Sequence, residues 1–158
     1  VMRYLGGVMS PKANREMLEQ RILGYYSAHP GLGVWATLER ASGRCIGFHL
    51  LNHVLGETDV IQLGYRLFPE DWGKGYATEM GCALLAYGFE RLGLTLISAN
   101  ADTGNQASHQ VLLKCGLHRH GERAWAHPAY AGFGPIPFFQ RAAADWLADH
   151  TLNIRAGH

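Results

Sequence analysis

Hydrophobic positions along the chain recur with two spacings, one typical of helices and one typical of strands. Leu18, Ile22 and Tyr25 lie three or four residues apart, and Ser10-Pro11 supplies a cap residue followed by a proline at the first helical position. Residues 33–39 alternate, which indicates a strand. The whole pattern predicts, in order, a helix from Ser10-Pro11 to His29-Pro30-Gly31, strands at 33–39, 45–51 and 60–67, a helix at 77–91, a strand at 94–99, a helix at 105–115, and strands at 117–124 and 137–141.

Elements in this order predict an α/β (mixed α+β) protein with a mixed sheet that carries helices on its faces. The 158 residues have the length of one domain, 1–158, and show neither repeats nor linkers. Hydrophobic residues make up 47% of the chain and charged residues 17%, which are values of globular proteins.

Charge and composition exclude several classes of function. The formal net charge of +1 provides no basic field for nucleic acid, and no apolar run approaches the length that spans a membrane. The start of the chain has no signal-peptide pattern. An odd number of cysteines in apolar segments predicts reduced core thiols in a cytoplasmic protein: Cys45, Cys82 and Cys115. We expect no metal site, because the neighbouring histidines lack a clear set of ligands: His118, His120 and His127.

The stretch from Tyr65 to Glu79 carries the most information about function. An apolar, strand-like run ends at Phe68-Pro69, and the turn Trp72-Gly73-Lys74-Gly75 leads from it into helical spacing. A strand, a glycine turn and a helix start together offer free backbone N–H groups and the positive end of a helix dipole. Glycine lets the main chain approach a phosphate closely, because no Cβ intervenes. The stretch therefore predicts a pyrophosphate site.

Three glycine-loop patterns compete for this stretch. A P-loop is excluded, because Phe68 stands where its first glycine is required and Gly75 follows the lysine. A dinucleotide loop fits at Gly73 and Gly75, but Thr78 replaces its third glycine and no acidic residue follows at 92–97. The coenzyme A loop of acetyltransferases, Gln/Arg-x-x-Gly-x-Gly/Ala, matches except at Trp72. An ordinary glycine turn before a surface helix is the alternative that the loop alone leaves open.

A second block lies further along the chain. Residues 100–108 read Asn-Ala-Asp-Thr-Gly-Asn-Gln-Ala-Ser and lead into Val111-Leu112-Leu113-Lys114-Cys115-Gly116-Leu117. With both blocks, nearly the whole chain from Arg3 to Ala148 resembles the GNAT acetyltransferase superfamily, most closely its RimJ/RimL-like branch. That branch combines a Trp-Gly-x-Gly-Tyr-Ala-Thr-Glu loop with Asn-x-x-Ser-x-x-Val-Leu-x-Lys-x-Gly-Phe/Leu. The resemblance implies the GNAT fold, a central mixed, mostly antiparallel sheet with splayed strands flanked by helices.

The start of the chain departs from this pattern. Members of that branch usually have another strand and most of a helix before the segment that corresponds to Arg3-Tyr4-Leu5-Gly6-Gly7, whereas this sequence begins at Val1. We expect either a shortened sequence or a sheet that lacks its usual first strand. A missing strand would leave backbone groups unpaired at the sheet edge, and pairing in a homodimer would cover them.

The resemblance implies acetyl-CoA as the donor and an amine as the acceptor. The pantetheine arm would pair with the open edge of the 60–67 strand, and an N–H near Leu67 would polarise the thioester carbonyl. Asn105 would hydrogen-bond the arm and Ser108 would protonate the leaving thiolate, with a helix N-cap and a packed serine as the alternatives. The pyrophosphate would lie along the loop on main-chain N–H groups, beside Trp72: Gly73, Lys74, Gly75, Tyr76 and Ala77. The Lys74 side chain is either a phosphate contact or solvated.

The acceptor side is less defined. Many relatives carry a glutamate where this chain has Gln62, and glutamine cannot act as a base. His49, Asp59 or Glu57 acting through water, or no strong base at all, are the alternatives. An α-amine with a pKa of about 8 is roughly a tenth neutral at pH 7, whereas a lysine near 10.4 is neutral in about one molecule in several thousand. A weak base therefore predicts a peptide α-amine or a small amine as acceptor.

Two further alternatives stay open. Aromatic residues of the last third form either the anchors of a loop or a wall of the acceptor pocket: Tyr130, Phe133, Phe138 and Phe139. Gln62 and the short start also fit a module that binds acyl-CoA without transferring the acyl group. A nicotinamide or flavin enzyme rests on Gly73 and Gly75 alone.

Overall fold

The structure is a computed structural model that describes residues 10–130, 132 and 134–156. Six strands form one sheet in the order β1-β2-β3-β4-β6-β5. In chain order they are β1 (Gly33–Leu38), β2 (Cys45–His53), β3 (Ile61–Leu67), β4 (Leu96–Asn100), β5 (His118–Arg123) and β6 (Ile136–Ala142). Neighbours are antiparallel except for β3 and β4, which are parallel. The predicted fold class is confirmed. Arg3–Gly7, on which the expectation of a missing first strand depends, lie outside the described residues.

Helices connect and cover these strands. They are α1 (Pro11–Met17), α2 (Gly24–Ala28), α3 (Tyr76–Ala86), α4 (Gln106–Lys114) and α5 (Ala143–Ala156). A π-helical segment, Leu18–Leu23, joins α1 to α2, and another, Tyr87–Arg91, extends α3. The hydroxyl of Ser10 accepts a hydrogen bond from the Ala13 N–H at 3.2 Å, which confirms the predicted cap. Helix α5 was not predicted from the sequence.

The main core lies between α3 and one face of the sheet. Side chains that alternate along the strands point to this face and are at most 2% exposed: Leu51, Leu63, Ile97, Ala99 and Phe139. Leu84, Leu85 and Phe89 pack against them from α3 and its extension. Helix and sheet approach closely at Gly88, where an added Cβ would lie 2.7 Å from the Ile97 Cδ1 atom.

A smaller cluster covers the opposite face near one end of the sheet. It consists of Val54, Trp125, Ile136 and Phe138, with Val60 and Tyr130 packed against it. Phe138 belongs to this face because it alternates with Phe139 along β6. The two faces of the sheet are therefore covered by different parts of the chain.

The expectation that all three cysteines are core thiols is wrong. Only Cys115 is buried, whereas Cys45 and Cys82 are exposed; all three are free thiols. An apolar segment does not reveal which face of its helix or strand a residue occupies, and Cys82 follows the buried Gly81 on the outer side of α3. Within the described residues, no helix is long and apolar enough to cross a membrane, and no three His, Cys, Asp or Glu side chains are grouped to hold a metal.

Candidate active site

The sheet opens between β3 and β4. These parallel strands share one register pair, Gln62 with Ser98, whereas β2 and β3 are paired over the whole of β3. The C-terminal half of β3 therefore has a partner on one side and diverges from β4 on the other. This gap confirms the splayed strands that the resemblance implied.

Hydrogen bonds at both ends of the β2–β3 pair determine which backbone groups face the gap. The Val54 N–H donates to the Val60 carbonyl at 2.8 Å, and the Phe68 N–H donates to the Ile46 carbonyl at 3.0 Å. Because hydrogen-bonded pairs alternate along an antiparallel ladder, the even-numbered residues of β3 bond to β2. The N–H and C=O groups of odd-numbered residues, Leu67 among them, point towards the gap.

The glycine loop lies at the end of this open edge. Gly73 and Gly75 have φ angles of +73° and +87°, which residues other than glycine rarely adopt. No heavy atom lies within 4 Å of a Cβ added at either position. Helix α3 begins directly afterwards at Tyr76. Its first-turn N–H groups have no carbonyl one turn earlier to bond. The loop thus leads directly into a helix start whose backbone N–H groups are available as donors.

Ion pairs hold the loop on the turn that joins β1 to β2. The Asp71 side chain is fully buried and accepts hydrogen bonds from the Arg44 guanidinium at 2.5 and 2.9 Å and from Lys74 Nζ at 3.1 Å. The Tyr76 hydroxyl donates to Glu39 at 2.5 Å. The hydrogen bonds from Arg44, above all, hold the pKa of Asp71 below its ordinary value. Arg44 and Asp71 are 27 positions apart, so no local sequence pattern revealed this contact.

Two predicted cofactor residues make contacts within the protein. Lys74 pairs with Asp71, so a phosphate contact by its side chain would have to compete with a buried carboxylate. The Trp72 indole N–H donates to the Leu67 carbonyl at 3.0 Å, while the side chain stays 56% exposed. That bond occupies the Leu67 carbonyl and leaves the Leu67 N–H available at the gap.

Helix α4 begins beside the same edge. The Asn105 side-chain oxygen accepts from the Ser108 N–H at 3.2 Å, so Asn105 is the N-cap of α4. The Tyr65 hydroxyl, in turn, donates to the Ser108 carbonyl at 3.3 Å. Burial raises the pKa of Tyr65 to about 12, so this hydroxyl keeps its proton. The structure brings Asn105, Ser108 and the open half of β3 together; their roles in binding and catalysis stay predictions.

The candidate bases lie in very different surroundings. His49 is completely buried on the main-core face, where its Nδ1 atom lies 2.6 Å from the Thr37 hydroxyl. Burial lowers the pKa of His49 to about 4. Because the His49 side chain is not accessible from the surface, its position does not support a role as the base that deprotonates an acceptor amine. Glu57 forms an ion pair with Arg123 at 3.3 Å, and Asp59 is exposed.

Three side-chain amides cross the sheet where β3 and β4 part, and we call them the amide stripe. Gln62 donates from Nε2 to the Asn52 side-chain oxygen at 3.3 Å, and its own oxygen accepts from Asn100 Nδ2 at 3.4 Å. The stripe lies on the sheet face opposite α3, because Gln62 alternates with the core residue Leu63. Asn52 and Asn100 were not singled out from the sequence, since only strand register brings them to Gln62.

The aromatic residues that the sequence left open as loop anchors or as a wall of the acceptor pocket lie on different faces of the sheet. Phe138 is the register partner of Asn100 and lies with Trp125 and Tyr130 on the face of the amide stripe. The Arg123 guanidinium stacks 4.3 Å from the Trp125 ring centre. Phe139 is not part of this wall, because strand alternation turns it into the main core. Phe133 lies outside the described residues, and Trp125 had not been predicted.

Comparison with known proteins places the chain among acetyltransferases. A protein-family model described as an acetyltransferase (GNAT) domain matches residues 1–118. An uncharacterized N-acetyltransferase, YoaA, of Bacillus subtilis is 40% identical over 76 residues, which are 48% of this chain and 41% of that protein. FsC-acetyl coenzyme A-N(2)-transacetylase of Aspergillus fumigatus is 36% identical over 95 residues, or 56% of this chain and 40% of that protein.

A solved structure shares the fold over most of the chain. The ribosomal-protein-S5-alanine acetyltransferase of Vibrio fischeri superposes with a TM-score of 0.71 at 19% identity, covering 92% of this chain and 81% of that one. The matched segments span about two fifths of the length of the two curated relatives named above.

Proposed function

The chain belongs to the GNAT acetyltransferase family, and we propose that it is an N-acetyltransferase that transfers the acetyl group of acetyl-CoA to an amine. The observation that carries this proposal is the open edge of β3, which leads into a glycine loop and the start of α3, where the first-turn backbone N–H groups have no partner within the helix. Such an edge suits a ligand that combines peptide-like amides with a pyrophosphate. The name of the Aspergillus relative, an acetyl coenzyme A-N(2)-transacetylase, supports acetyl-CoA as the donor.

The cofactor would be bound mainly by the backbone. The N–H groups at the loop and the first turn of α3 would hold the pyrophosphate: Gly73, Lys74, Gly75, Tyr76 and Ala77. Trp72 would border this site. Because Asp71 already pairs with Arg44 and Lys74, the helix dipole and the backbone amides would supply the attraction rather than these two side-chain charges.

Transfer would take place in the gap between β3 and β4. The pantetheine amides would pair with the backbone of β3 there, and the Leu67 N–H would donate to the thioester oxygen as negative charge develops on it. A neutral amine would attack the carbonyl carbon, the C–S bond would break, and the thiolate would take up a proton. The attacking nitrogen would give up a proton to water, which returns to the donor the proton that the thiolate received. Ser108 is the proposed donor of that proton, with Asn105 contacting the arm and capping α4. A thiol with a pKa of about 8.5 needs only modest assistance to leave.

The acceptor would be a peptide α-amine or a small amine, as in a RimJ/RimL-like enzyme. Position 62 carries an amide instead of a carboxylate, and His49 is enclosed, so no strong base is provided at these two positions. An amine with a pKa of about 8 is then favoured over lysine, since a far larger fraction of it is neutral. We further propose a cytoplasmic location, which the three free thiols support. We also propose that the protein forms a homodimer.

A second candidate is an acyl-CoA-binding module without transferase activity. Gln62 supports it, because both polar groups of its amide are engaged by neighbours in place of a base. Calorimetry with acetyl-CoA, combined with thiol-release assays over N-terminal peptides, polyamines, aminoglycosides and amino acids, separates the two. We expect uptake of acetyl-CoA and faster release with free N-termini than with Nα-blocked lysine peptides. Uptake without release would favour the module, and no uptake at millimolar ligand would contradict both.

A further inference from the structure

Gln62 is the middle member of the amide stripe, and each of the two outer members, Asn52 and Asn100, keeps one amide group that the stripe does not use. At the centre, both groups of the Gln62 amide are engaged, one by Asn52 and one by Asn100. Asn100 uses its NH₂ group in this bond, which leaves its carbonyl oxygen as the free acceptor. Within the described residues, that oxygen accepts no hydrogen bond. In the arrangement that the structure shows, the Asn100 amide is oriented by its bond to Gln62, and the Gln62 amide by its bond to Asn52.

The amide stripe lies at the point where the gap between β3 and β4 begins. Gln62 belongs to the one register pair that joins β3 to β4, so the strands part directly beyond it. Asn100 is the last residue of β4, and both its side chain and that of Gln62 are partly exposed. Helix α3 and the main core occupy the other face of the sheet. A molecule that enters from the open face therefore meets the stripe at the edge of the gap.

We propose that Asn100 binds the acceptor amine through its side-chain oxygen and that Gln62 is the positioning residue that orients it. This inference rests on the proposed function and defines the substrate class of that site as a primary amine that binds in its neutral form. The amide oxygen accepts one N–H of the amine and leaves the nitrogen lone pair for attack on the thioester. A neutral amide, unlike a carboxylate, gives little extra stabilisation to the ammonium form.

Asn100 also has a neighbour suited to the rest of the acceptor. Phe138 lies opposite it in the β4–β6 register, within the cluster that contains Trp125 and Tyr130. Phe138 and Trp125 are buried, so apolar parts of the acceptor next to the amine would contact this cluster mainly at the partly exposed Tyr130. The proposed pocket thus combines one polar contact for the amine with an aromatic wall.

A purely structural role would be to join strands that share few backbone hydrogen bonds. The two roles differ in what they do to kinetics. Loss of a structural link would weaken acetyl-CoA binding and the acceptor reaction together, because both depend on the same gap. Loss of an acceptor contact would raise KM for the amine and leave acetyl-CoA binding unchanged.

The first test is Asn100→Leu in the full chain, with Ala-Gly-Gly-amide as the acceptor. We expect KM for this peptide to rise about tenfold, as for the loss of one hydrogen bond to the amine, with the Kd of acetyl-CoA within about twofold of the original value. Gln140→Leu is the matched control, because Gln140 lies on the same face but bonds to the Ser98 hydroxyl at 3.4 Å. We expect it to change KM by less than about twofold.

The second test addresses positioning. Gln62→Leu should also raise KM for the peptide, and Gln62→Glu should restore it, because a carboxylate still accepts a hydrogen bond from Asn100. The glutamate also introduces a base beside the amine. We therefore expect kcat/KM for Nα-acetyl-lysine amide to rise at least about tenfold in Gln62→Glu relative to that for Ala-Gly-Gly-amide.

The outcomes separate this inference from the proposed function. If the original protein acetylates the peptide but Asn100→Leu leaves its KM within twofold, or weakens acetyl-CoA binding equally, the assignment of Asn100 is overturned and the proposed function stands. If the original protein binds acetyl-CoA without releasing thiol, the proposed function has failed. Calorimetry then measures the binding of Ala-Gly-Gly-amide to the CoA-saturated original protein and to CoA-saturated Asn100→Leu. Weaker binding by Asn100→Leu supports the assignment of Asn100, and equal binding by both proteins, or binding by neither, overturns it.

Discussion

The glycine loop and the amide stripe are built in opposite ways. At the loop, charged side chains pair with one another around the buried Asp71, and the surface left for a ligand is backbone. At the stripe, the backbone belongs to the sheet, and the surface left for a ligand is a set of neutral side chains. Recognition by backbone requires particular φ angles over a few successive residues. Recognition by these side chains requires three strands in one register.

The largest effect that we predict concerns the support of the loop. His49 is buried and next to the backbone of Ala77 at the start of α3, and burial lowers its pKa from the ordinary 6.5 to about 4. In the unfolded chain His49 therefore becomes protonated below about pH 6.5, whereas in the folded protein it stays neutral down to about pH 4. At about 1.4 kcal/mol per pH unit, the free energy of unfolding falls by roughly 3 kcal/mol as pH drops through this window.

Urea unfolding between pH 7 and pH 4 measures this dependence. The matched variant is His49→Asn, whose amide can still bond to the Thr37 hydroxyl but does not titrate. Its free energy of unfolding should vary less steeply between pH 6.5 and pH 4. Equal slopes for both proteins would show that His49 is not neutral and buried in the folded protein.

A slightly smaller effect should follow from altering the loop backbone. Gly75→Ala places a Cβ at a φ of +87° and directs it into the space proposed for the pyrophosphate. We expect the Kd of acetyl-CoA to rise about 100-fold, together with a loss of roughly 1 kcal/mol in the free energy of unfolding from backbone strain. Calorimetry and urea unfolding measure the two quantities.

Gly93→Ala provides the control for strain. Gly93 also has a positive φ, +65°, and no heavy atom lies near its added Cβ, but it follows the far end of the extended α3. This variant should lose similar stability and retain acetyl-CoA affinity. Equal losses of affinity in both variants would mean that strain, and not contact with the loop backbone, governs binding.

The smallest effect concerns the charge at the loop. Lys74→Met should raise the Kd of acetyl-CoA by less than about threefold, because the ammonium group is already held by the buried Asp71 carboxylate and is not directed at a phosphate. Lys114→Met, in the last turn of α4, serves as the comparison for removing one positive charge. A tenfold or larger loss of acetyl-CoA affinity in Lys74→Met alone would identify the lysine side chain as a phosphate contact. The glycine loop would then bind its ligand partly through a side chain, as we propose for the amide stripe.

The order of elements and the loop could be predicted because their signals are local. Ser10-Pro11 marked the first helix, and the glycines at 73 and 75 marked the backbone turn before α3. Helix α5 was missed, because its first turn continues directly from β6 without a separating turn. The burial of individual residues was also missed in places: Cys82 is exposed and Phe139 is turned away from the proposed acceptor.

The sequence by itself determined the family, the order of strands and helices as far as β6, and the glycine turn, because periodicity and φ preferences depend on residues that are close along the chain. Tertiary structure alone decided that Asp71 binds Arg44, that His49 is enclosed, and that Asn52, Gln62 and Asn100 form one stripe. These contacts join residues 10 to 38 positions apart. They depend on strand register and on how far β4 diverges from β3, and packing of the whole sheet sets both.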